Sequence, residues 1–111
     1  MKVLLVDDNN IVRALAREML ESAGYDVVEA NGLGNALDRA RELGEVEVLV
    51  TDLVMPDGDG LDVATSVARL SPNVRVLYTS AYADMRWTGS FVPKPYTSAE
   101  LVEALDRLIK H

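Results

Sequence analysis

One short segment, Val48–Asp52, constrains the fold of this chain more than any other. Three apolar residues and a threonine lead to a single carboxylate, Asp52, and a loop of Pro, Gly and Asp residues follows at 56–60. An apolar, β-rich run that stops at turn residues is typical of a buried strand. In open parallel sheets, ligands and chemistry lie outside the carboxyl ends of the strands. The sequence therefore places Asp52 where an α/β protein carries its functional site.

Strand-like and helix-like patterns alternate along the rest of the chain. Short apolar runs predict further strands at 2–6, 25–30, 74–79 and 90–92. Strands that alternate with helices build a parallel sheet covered by those helices. We therefore predict a single α/β domain over residues 1–111, a flavodoxin-like doubly wound parallel sheet with strand order 2-1-3-4-5.

The predicted helices carry apolar stripes at helical spacing. Asn9 or its neighbour is expected to cap the first helix, and Thr97 and Glu100 form a capping box at the start of the last one. One apolar face of the first helix consists of Val12, Leu15, Met19 and Leu20, and the third helix is marked by Leu61, Ala64, Val67 and Ala68.

The link between the predicted fourth and fifth strands is short. It has nine residues, 82–90, whereas a parallel crossover that contains a helix needs about a dozen. The helix of this crossover, the fourth of the fold, is therefore expected to be short or missing. Trp87 lies in the link, where core packing and a cover for the sheet are both open interpretations.

The composition excludes several classes of function. Lys and Arg number 11 against 18 Asp and Glu, and the net charge of −7 disfavours direct binding to nucleic acid. There is no cysteine, so disulfides and thiolate metal sites are excluded. No signal peptide precedes the first strand, and no apolar run approaches the ~20 residues of a membrane span. We expect a cytoplasmic protein with no membrane partner.

Polar residues follow four of the predicted strands. Asp7 and Asp8 end the first strand, Asp52 the third, Thr79 and Ser80 the fourth, and Lys94 follows the fifth. The predicted strand order brings these ends to one edge, where crowded carboxylates raise each other's pKa unless a cation compensates. Mg²⁺ suits carboxylates together with phosphate oxygens, a lysine can pair with phosphate, and a carboxylate can accept a phosphoryl group. The site therefore predicts Mg²⁺-assisted phosphorylation of an aspartate, achieved by positioning and charge neutralisation.

The same residues resemble a known family. Asp7-Asp8, Asp52 followed by Met55-Pro56 and Asp59-Gly60, Ser80-Ala81 and Lys94-Pro95 look like the motif set of the response-regulator receiver domains of two-component signalling. The resemblance covers the whole chain and implies that Asp52 is the phosphoacceptor. It implies that Asp8, Asp52 and the Val54 carbonyl bind Mg²⁺, with Asp7 acting through water. It also implies that Ser80 and Lys94 contact phosphoryl oxygens, with a cis Lys94–Pro95 bond that aims the lysine.

The function implied by the resemblance is signalling rather than enzymatic turnover. Asp52 would accept a phosphoryl group from a partner histidine kinase or phosphotransfer protein, because the only histidine, His111, is terminal. The acyl phosphate would then bias a two-state equilibrium and change the affinity for a downstream protein target. The domain would assist only its own phosphorylation and dephosphorylation. The start at Met1 suggests a natural amino terminus, while a stand-alone regulator and one domain of a larger protein both remain open.

Four further points stay open at this stage. Thr79 and Ser80 are adjacent, so only one can face Asp52, and the family's small residue after its hydroxyl favours Ser80. Phe91 lies where receivers commonly carry a switch aromatic, but core packing explains it equally well.

A receiver-like interaction module that works without phosphorylation is the alternative function, and the short 82–90 link is its support. A small Mg²⁺-dependent phosphatase is a third possibility and would show turnover on phosphate esters.

Overall fold

Strands and helices alternate along the chain in the computed structural model, which describes residues 1–81 and 90–110. The strands are β1 (Lys2–Val6), β2 (Asp26–Ala30), β3 (Val48–Asp52), β4 (Arg75–Ser80) and β5 (Phe91–Pro93). The helices within the described residues are α1 (Asn10–Ser22), α2 (Leu33–Leu43), α3 (Gly60–Leu70) and α4 (Ser98–Lys110). None of these helices is long and apolar enough to cross a membrane.

The five strands form one parallel sheet with the order β2-β1-β3-β4-β5. This order confirms the predicted flavodoxin-like fold. β3 is therefore central, with β1 on one side and β4 on the other. The helix expected to be short or missing between β4 and β5, and Trp87 with it, lie outside the described residues.

Two hydrophobic cores lie on opposite faces of the sheet, because successive side chains of a strand alternate between its faces. One core joins β1 and β3 to α1 and α4, through Val3, Leu5, Val48, Val50, Leu20, Leu101 and Leu105. The other joins the same strands to α2 and α3, through Leu4, Val6, Leu49, Ala36, Ala40, Val63 and Val67. All five residues of β3 are buried, as expected for a strand covered on both faces.

Side-chain caps fix the starts of the first and last helices. Asn9 Oδ1 accepts hydrogen bonds from the main-chain N–H groups of Ile11 and Val12, both at 3.0 Å. Thr97 and Glu100 cap the last helix reciprocally. The main-chain N–H of Glu100 donates to the Thr97 hydroxyl at 3.1 Å, and the main-chain N–H of Thr97 donates to the Glu100 carboxylate at 2.9 Å. Both predicted caps are confirmed, and a cap of this kind is typically worth ~1 kcal/mol.

Candidate functional site

All five strands of the parallel sheet end at one edge, and four of them, β1, β3, β4 and β5, carry predicted site residues at or directly after those ends. In the register of the sheet, Val6 of β1 lies opposite Thr51 of β3, so Asp7 and Asp52 reach the edge together. Hydrogen bonds between main-chain groups continue past the strand ends: Asp7 N to Ala30 O at 3.1 Å, Leu53 N to Thr79 O at 2.9 Å, and Lys94 N to Ser80 O at 2.7 Å. The residues at this edge are therefore held by the sheet itself.

Lys94 joins two of the carboxylates at the edge. Its Nζ lies 2.6 Å from Asp7 Oδ2 and 3.0 Å from Asp52 Oδ2. The three side chains are only 13%, 4% and 10% exposed, respectively. Charges this deeply buried need partners, because desolvation is otherwise costly. The lysine that directly follows β5 therefore provides the positive charge that lets the acidic residues after β1 and at the end of β3 stay buried.

Burial and the neighbouring charges set the protonation of this site. Burial raises the pKa of Asp52, hydrogen bonding and charge from Lys94 lower it, and the charge of Asp7 raises it again, so the net shift is upward. Burial alone would lower the pKa of Lys94, but the hydrogen bonds that its ammonium group donates to Asp7 and Asp52, together with the charges of those carboxylates, outweigh burial and raise that pKa. Lys94 therefore stays protonated, while the charge on Asp52 is only partly compensated. A site of this kind favours a further positive charge.

The acidic residues form a cluster that could hold a metal ion. Asp7, Asp8 and Asp52 each offer a carboxylate oxygen, and these oxygens lie within 4.8 Å of one another. Asp7 and Asp52 are buried, while Asp8 is exposed and leaves one side open. Mg²⁺ prefers one or two carboxylates and keeps several waters, which an open side can admit. Val54 N lies 3.5 Å from Asp52 Oδ1, so Val54 adjoins the cluster; the binding role of its carbonyl stays a prediction.

Two hydroxyl side chains end β4 beside the acidic cluster. Thr79 lies opposite Asp52 in the sheet register, and Ser80 follows it opposite Pro93. Both residues are buried, at 3% and 2% exposure. The structure thus brings the predicted hydroxyls to the same edge as Asp52, and the choice between them stays open.

The loop after β3 returns tightly against the strand it has just left. Gly60 N donates a hydrogen bond of 2.9 Å to Leu53 O, and Asp59 Oδ1 accepts one of 2.9 Å from Asp62 N at the start of α3. A Cβ on Gly60 would overlap the main-chain oxygen of Asp52. Gly60 stands in the motif set that the sequence shows, but its steric role becomes visible only in the structure.

Arg13 is a second residue whose role the sequence did not reveal. Its guanidinium donates to Asp7 O at 2.8 Å, to Asn10 Oδ1 at 2.8 Å and to Glu29 Oε1 at 3.2 Å. The only sequence signal is an arginine at the first turn of a helix that follows the Asp pair. Its contacts with the main chain cannot be read from spacing.

A cavity of about 470 Å³ opens beside the acidic cluster. Asp8, Asp52 and Lys94 line its polar end, and the rest is lined by Val12, Leu15, Met19, Pro95 and Tyr96 with Asn9 and Ala81. Burial raises the pKa of Tyr96 to about 12. The Lys94–Pro95 peptide bond is cis, as the resemblance implied. Phe91 is partly buried and lines a different cavity with Leu77 and Leu108, so its two interpretations remain.

The described residues define a doubly wound α/β protein with an acidic, lysine-bridged site at the carboxyl edge of its sheet. The sequence also matches the family model described as "Response regulator receiver domain" over residues 3–106. The chain therefore belongs to the response regulator receiver domain family.

Individual relatives show the same similarity. Sensor kinase CckA of Brucella abortus is 32% identical over 117 residues, which cover 97% of this chain and 12% of that protein. Chemotaxis protein CheY of Thermotoga maritima is 27% identical over 118 residues, 98% of each chain. The crystal structure of the receiver domain from the hybrid histidine kinase CckA has a TM-score of 0.87 and 29% identity, covering 98% of this chain and 99% of that one. This chain thus spans a small part of the sensor kinase and nearly all of CheY.

Proposed function

We propose that the chain is a phosphorylation switch in which Asp52 accepts a phosphoryl group from a histidine kinase or a histidine phosphotransfer protein. The observation that carries this proposal is the contact of Lys94 with both Asp7 and Asp52 at a metal-sized cluster of three carboxylates. Membership of the receiver family supports it. The domain assists only its own modification, and we place it in the cytoplasm on the basis of its family alone.

The proposed reaction is an in-line displacement on phosphorus. An oxygen of Asp52 forms the new bond while the bond from phosphorus to the donor nitrogen breaks. Lys94, already 3.0 Å from Asp52 Oδ2, pairs with a phosphoryl oxygen and keeps its 2.6 Å contact with Asp7. The hydroxyl of Ser80 binds a second phosphoryl oxygen. Asp8, Asp52 and the Val54 carbonyl, with Asp7 acting through water, would hold Mg²⁺, which would neutralise charge on the transferring group.

Exposed apolar side chains around the site suit a docking protein. Ile11, Leu15 and Val54 are 74%, 51% and 56% exposed, respectively. Large apolar side chains next to a polar reaction centre are typical of a surface that contacts another protein rather than of a surface that faces only solvent. Phosphorylation would then change the affinity of the domain for a downstream protein target through a shift between two conformations.

Intact mass after incubation with acetyl phosphate tests the proposal. We expect one phosphoryl adduct on the wild type, dependent on Mg²⁺, and none on Asp52→Ala. Asp38→Ala is the matched control, because Asp38 is an exposed carboxylate on α2 whose contact with Arg41 is long, at 3.8 Å. Its adduct should equal that of the wild type.

The same experiment separates the alternatives. A folded protein that binds Mg²⁺ but takes no adduct would favour the phosphorylation-independent interaction module. Continuous turnover of phosphate esters with Mg²⁺ would favour a phosphatase. An adduct that persists in Asp52→Ala would place the acceptor elsewhere and contradict the proposal.

A further inference from the structure

The loop between β1 and α1 carries two of the three acidic residues, and Arg13 holds this loop from the helix side. One guanidinium nitrogen donates to the main-chain oxygen of Asp7, and another donates to Asn10 Oδ1, both at 2.8 Å. Arg13 therefore contacts the loop at its first residue and at the first residue of α1. The two contacts span Asp8 without touching it.

The bond to Asp7 O acts on Asp8 through covalent geometry. The oxygen of Asp7 belongs to the planar peptide unit that joins Asp7 to Asp8. Fixing that oxygen fixes the orientation of the peptide plane. The orientation of the plane in turn determines the direction in which the side chain of Asp8 leaves the main chain. Asp8 is the exposed member of the acidic cluster, so it depends more on its main chain than Asp7 and Asp52, which have Lys94 as a partner.

The guanidinium is itself held in place. Arg13 Nε contacts Glu29 Oε1 at 3.2 Å, and the two side chains are 16% and 29% exposed. Its planar fork thus joins β2, the start of α1 and the loop with three differently directed donors, a geometry that a single ammonium group cannot reproduce. Arg17 shares Glu29, through its Oε2 at 2.7 Å, and also contacts Glu21 on its own helix.

We propose that Arg13 is a positioning residue for the magnesium site: it orients the Asp7–Asp8 peptide so that Asp8 points into the acidic cluster. The inference rests on the proposed function, since it assumes that this cluster binds Mg²⁺. It goes beyond that function because Arg13 touches neither the ion nor the phosphoryl group. Residues that orient metal ligands in this way typically change metal affinity by about 10- to 100-fold when they are removed.

Charge alone predicts the opposite result. Arg13 is a cation close to the acidic cluster, so its removal strengthens the attraction of the cluster for Mg²⁺ if only Coulomb's law acts. Positioning predicts weaker binding. Arg13→Lys separates the two effects, because it keeps the charge and loses the fork.

The test is calorimetric titration of MgCl₂ into the wild type, Arg13→Gln, Arg13→Lys and Arg17→Gln. We expect the Kd for Mg²⁺ to rise by about 10-fold or more in Arg13→Gln, and to rise also in Arg13→Lys. Arg17→Gln removes the same charge from the same glutamate without touching the loop, and its Kd should stay within about twofold of the wild type. Urea unfolding in EDTA establishes that each variant is folded.

A second measurement distinguishes positioning from general damage. The rate of phosphorylation by acetyl phosphate is followed against Mg²⁺ concentration. We expect the half-saturating Mg²⁺ concentration of Arg13→Gln to rise, while its rate at saturating Mg²⁺ returns close to that of the wild type. A merely destabilised protein would lose the saturated rate too.

Every outcome of these measurements either supports or overturns the positioning role of Arg13. Unchanged or tighter Mg²⁺ binding in Arg13→Gln, with normal binding by the wild type, overturns the inference and leaves the proposed function standing. If Arg13→Gln does not fold, the inference is tested by Arg13→Lys alone. A Kd for Mg²⁺ in Arg13→Lys equal to that of the wild type then overturns the inference. Equal weakening in Arg17→Gln also overturns it. A wild type that binds no Mg²⁺ overturns both the inference and the magnesium-dependent function.

Discussion

Among single residues, Lys94 balances the charge of the site, because two buried carboxylates share its ammonium group. We expect Lys94→Met to lower the free energy of unfolding by about 3 kcal/mol in the absence of Mg²⁺, since it leaves both carboxylates buried without a cation. Urea unfolding measures this loss. Mg²⁺ should restore part of it by supplying the missing positive charge.

Lys2→Met is the control for that substitution, because Lys2 is exposed at the start of β1. Its unfolding free energy should change little, with or without Mg²⁺. A Lys94→Met variant as stable as Lys2→Met, with no extra stabilisation by Mg²⁺, would show that Lys94 does not compensate Asp7 and Asp52.

The two adjacent hydroxyls at the end of β4 can be distinguished by paired substitutions. The family pattern favours Ser80 as the group that binds the phosphoryl oxygen. We expect Ser80→Ala to slow phosphorylation by about 10-fold, the usual scale for losing a hydrogen bond to a charged group, and Thr79→Val to leave the rate near that of the wild type. The rate of adduct formation by mass spectrometry checks this. A loss in Thr79→Val alone would reverse the assignment.

The residues that could be predicted share one property: each stands at the carboxyl end of a strand or directly after it. Asp7, Asp52 and Lys94 stand at strand ends in the sequence, and parallel topology alone brings such positions together. Arg13 and Gly60 could not be predicted in the same way. Their roles depend on main-chain oxygens of Asp7 and Asp52 that folding brings close, and a main-chain oxygen leaves no mark in a sequence.

Among the structural elements, the close approach of the start of α3 to the end of β3 constrains the position of Asp52. A Cβ on Gly60 would overlap Asp52 O and lie 3.0 Å from Leu53 Cα, and main chain cannot rotate away as a side chain can. We expect Gly60→Ala to lower the free energy of unfolding by roughly 1–3 kcal/mol and to reduce phosphorylation, because Asp52 must shift. Urea unfolding and adduct formation measure the two effects.

Gly34 provides the matched control in α2. It also lies in the first turn of a helix, but a Cβ there meets no atom within 4 Å among the described residues. Gly34→Ala should therefore raise the free energy of unfolding by roughly 0.5–1 kcal/mol, since alanine restricts the unfolded chain and favours the helix. If Gly60→Ala were as stable as Gly34→Ala, the close approach to Asp52 would not constrain the loop.

Helix faces were harder to predict than helices. Leu15 and Leu61 belong to the predicted apolar stripes but are 51% and 46% exposed, while Ala16 and Val63 are buried. Residues one position apart on a helix point about 100° apart and residues two positions apart about 160° apart, so the face that packs on the sheet is not centred on the stripe that the largest apolar residues mark. Leu15 instead lines the cavity beside Asp52, which agrees with a surface kept apolar for a partner.

At the scale of the whole molecule, the site is a product of strand order. β1, β3, β4 and β5 each contribute a residue to one edge, although these strands are spread over the full chain. Alternation of strands and helices predicts a parallel sheet, and the order 2-1-3-4-5 follows as a common arrangement of five such strands. The shortness of the 82–90 link was equally visible in the sequence, but residues 82–89 lie outside the described part of the chain, and the reduced helix there stays a prediction.

Two tyrosines, Tyr25 and Tyr96, lie on the α4 side of the molecule, and their ionisation makes the stability of the protein sensitive to alkaline pH. Burial, together with the hydrogen bond from its hydroxyl to Asp106 and the charge of that carboxylate, raises the pKa of Tyr25 to about 12. Burial likewise raises the pKa of Tyr96 to about 12. An unfolded tyrosine ionises near pH ~10. The folded state therefore holds its phenolic protons more tightly than the unfolded state does.

The sign of the pH dependence follows from that difference. Stability from a raised pKa is fully present below the unfolded value and is lost as pH rises through the folded value, so the free energy of unfolding should fall between about pH 10 and 12. Tyr25→Phe removes one of the two phenols. It should be less stable than the wild type at pH 8, because α4 loses the bond to Asp106, yet it should lose less stability on going from pH 8 to pH 11. Urea unfolding of both proteins at the two pH values measures this. Because the lysines titrate alike in both proteins, an equal loss in the two would show that Tyr25 ionises no later in the folded state than in the unfolded chain.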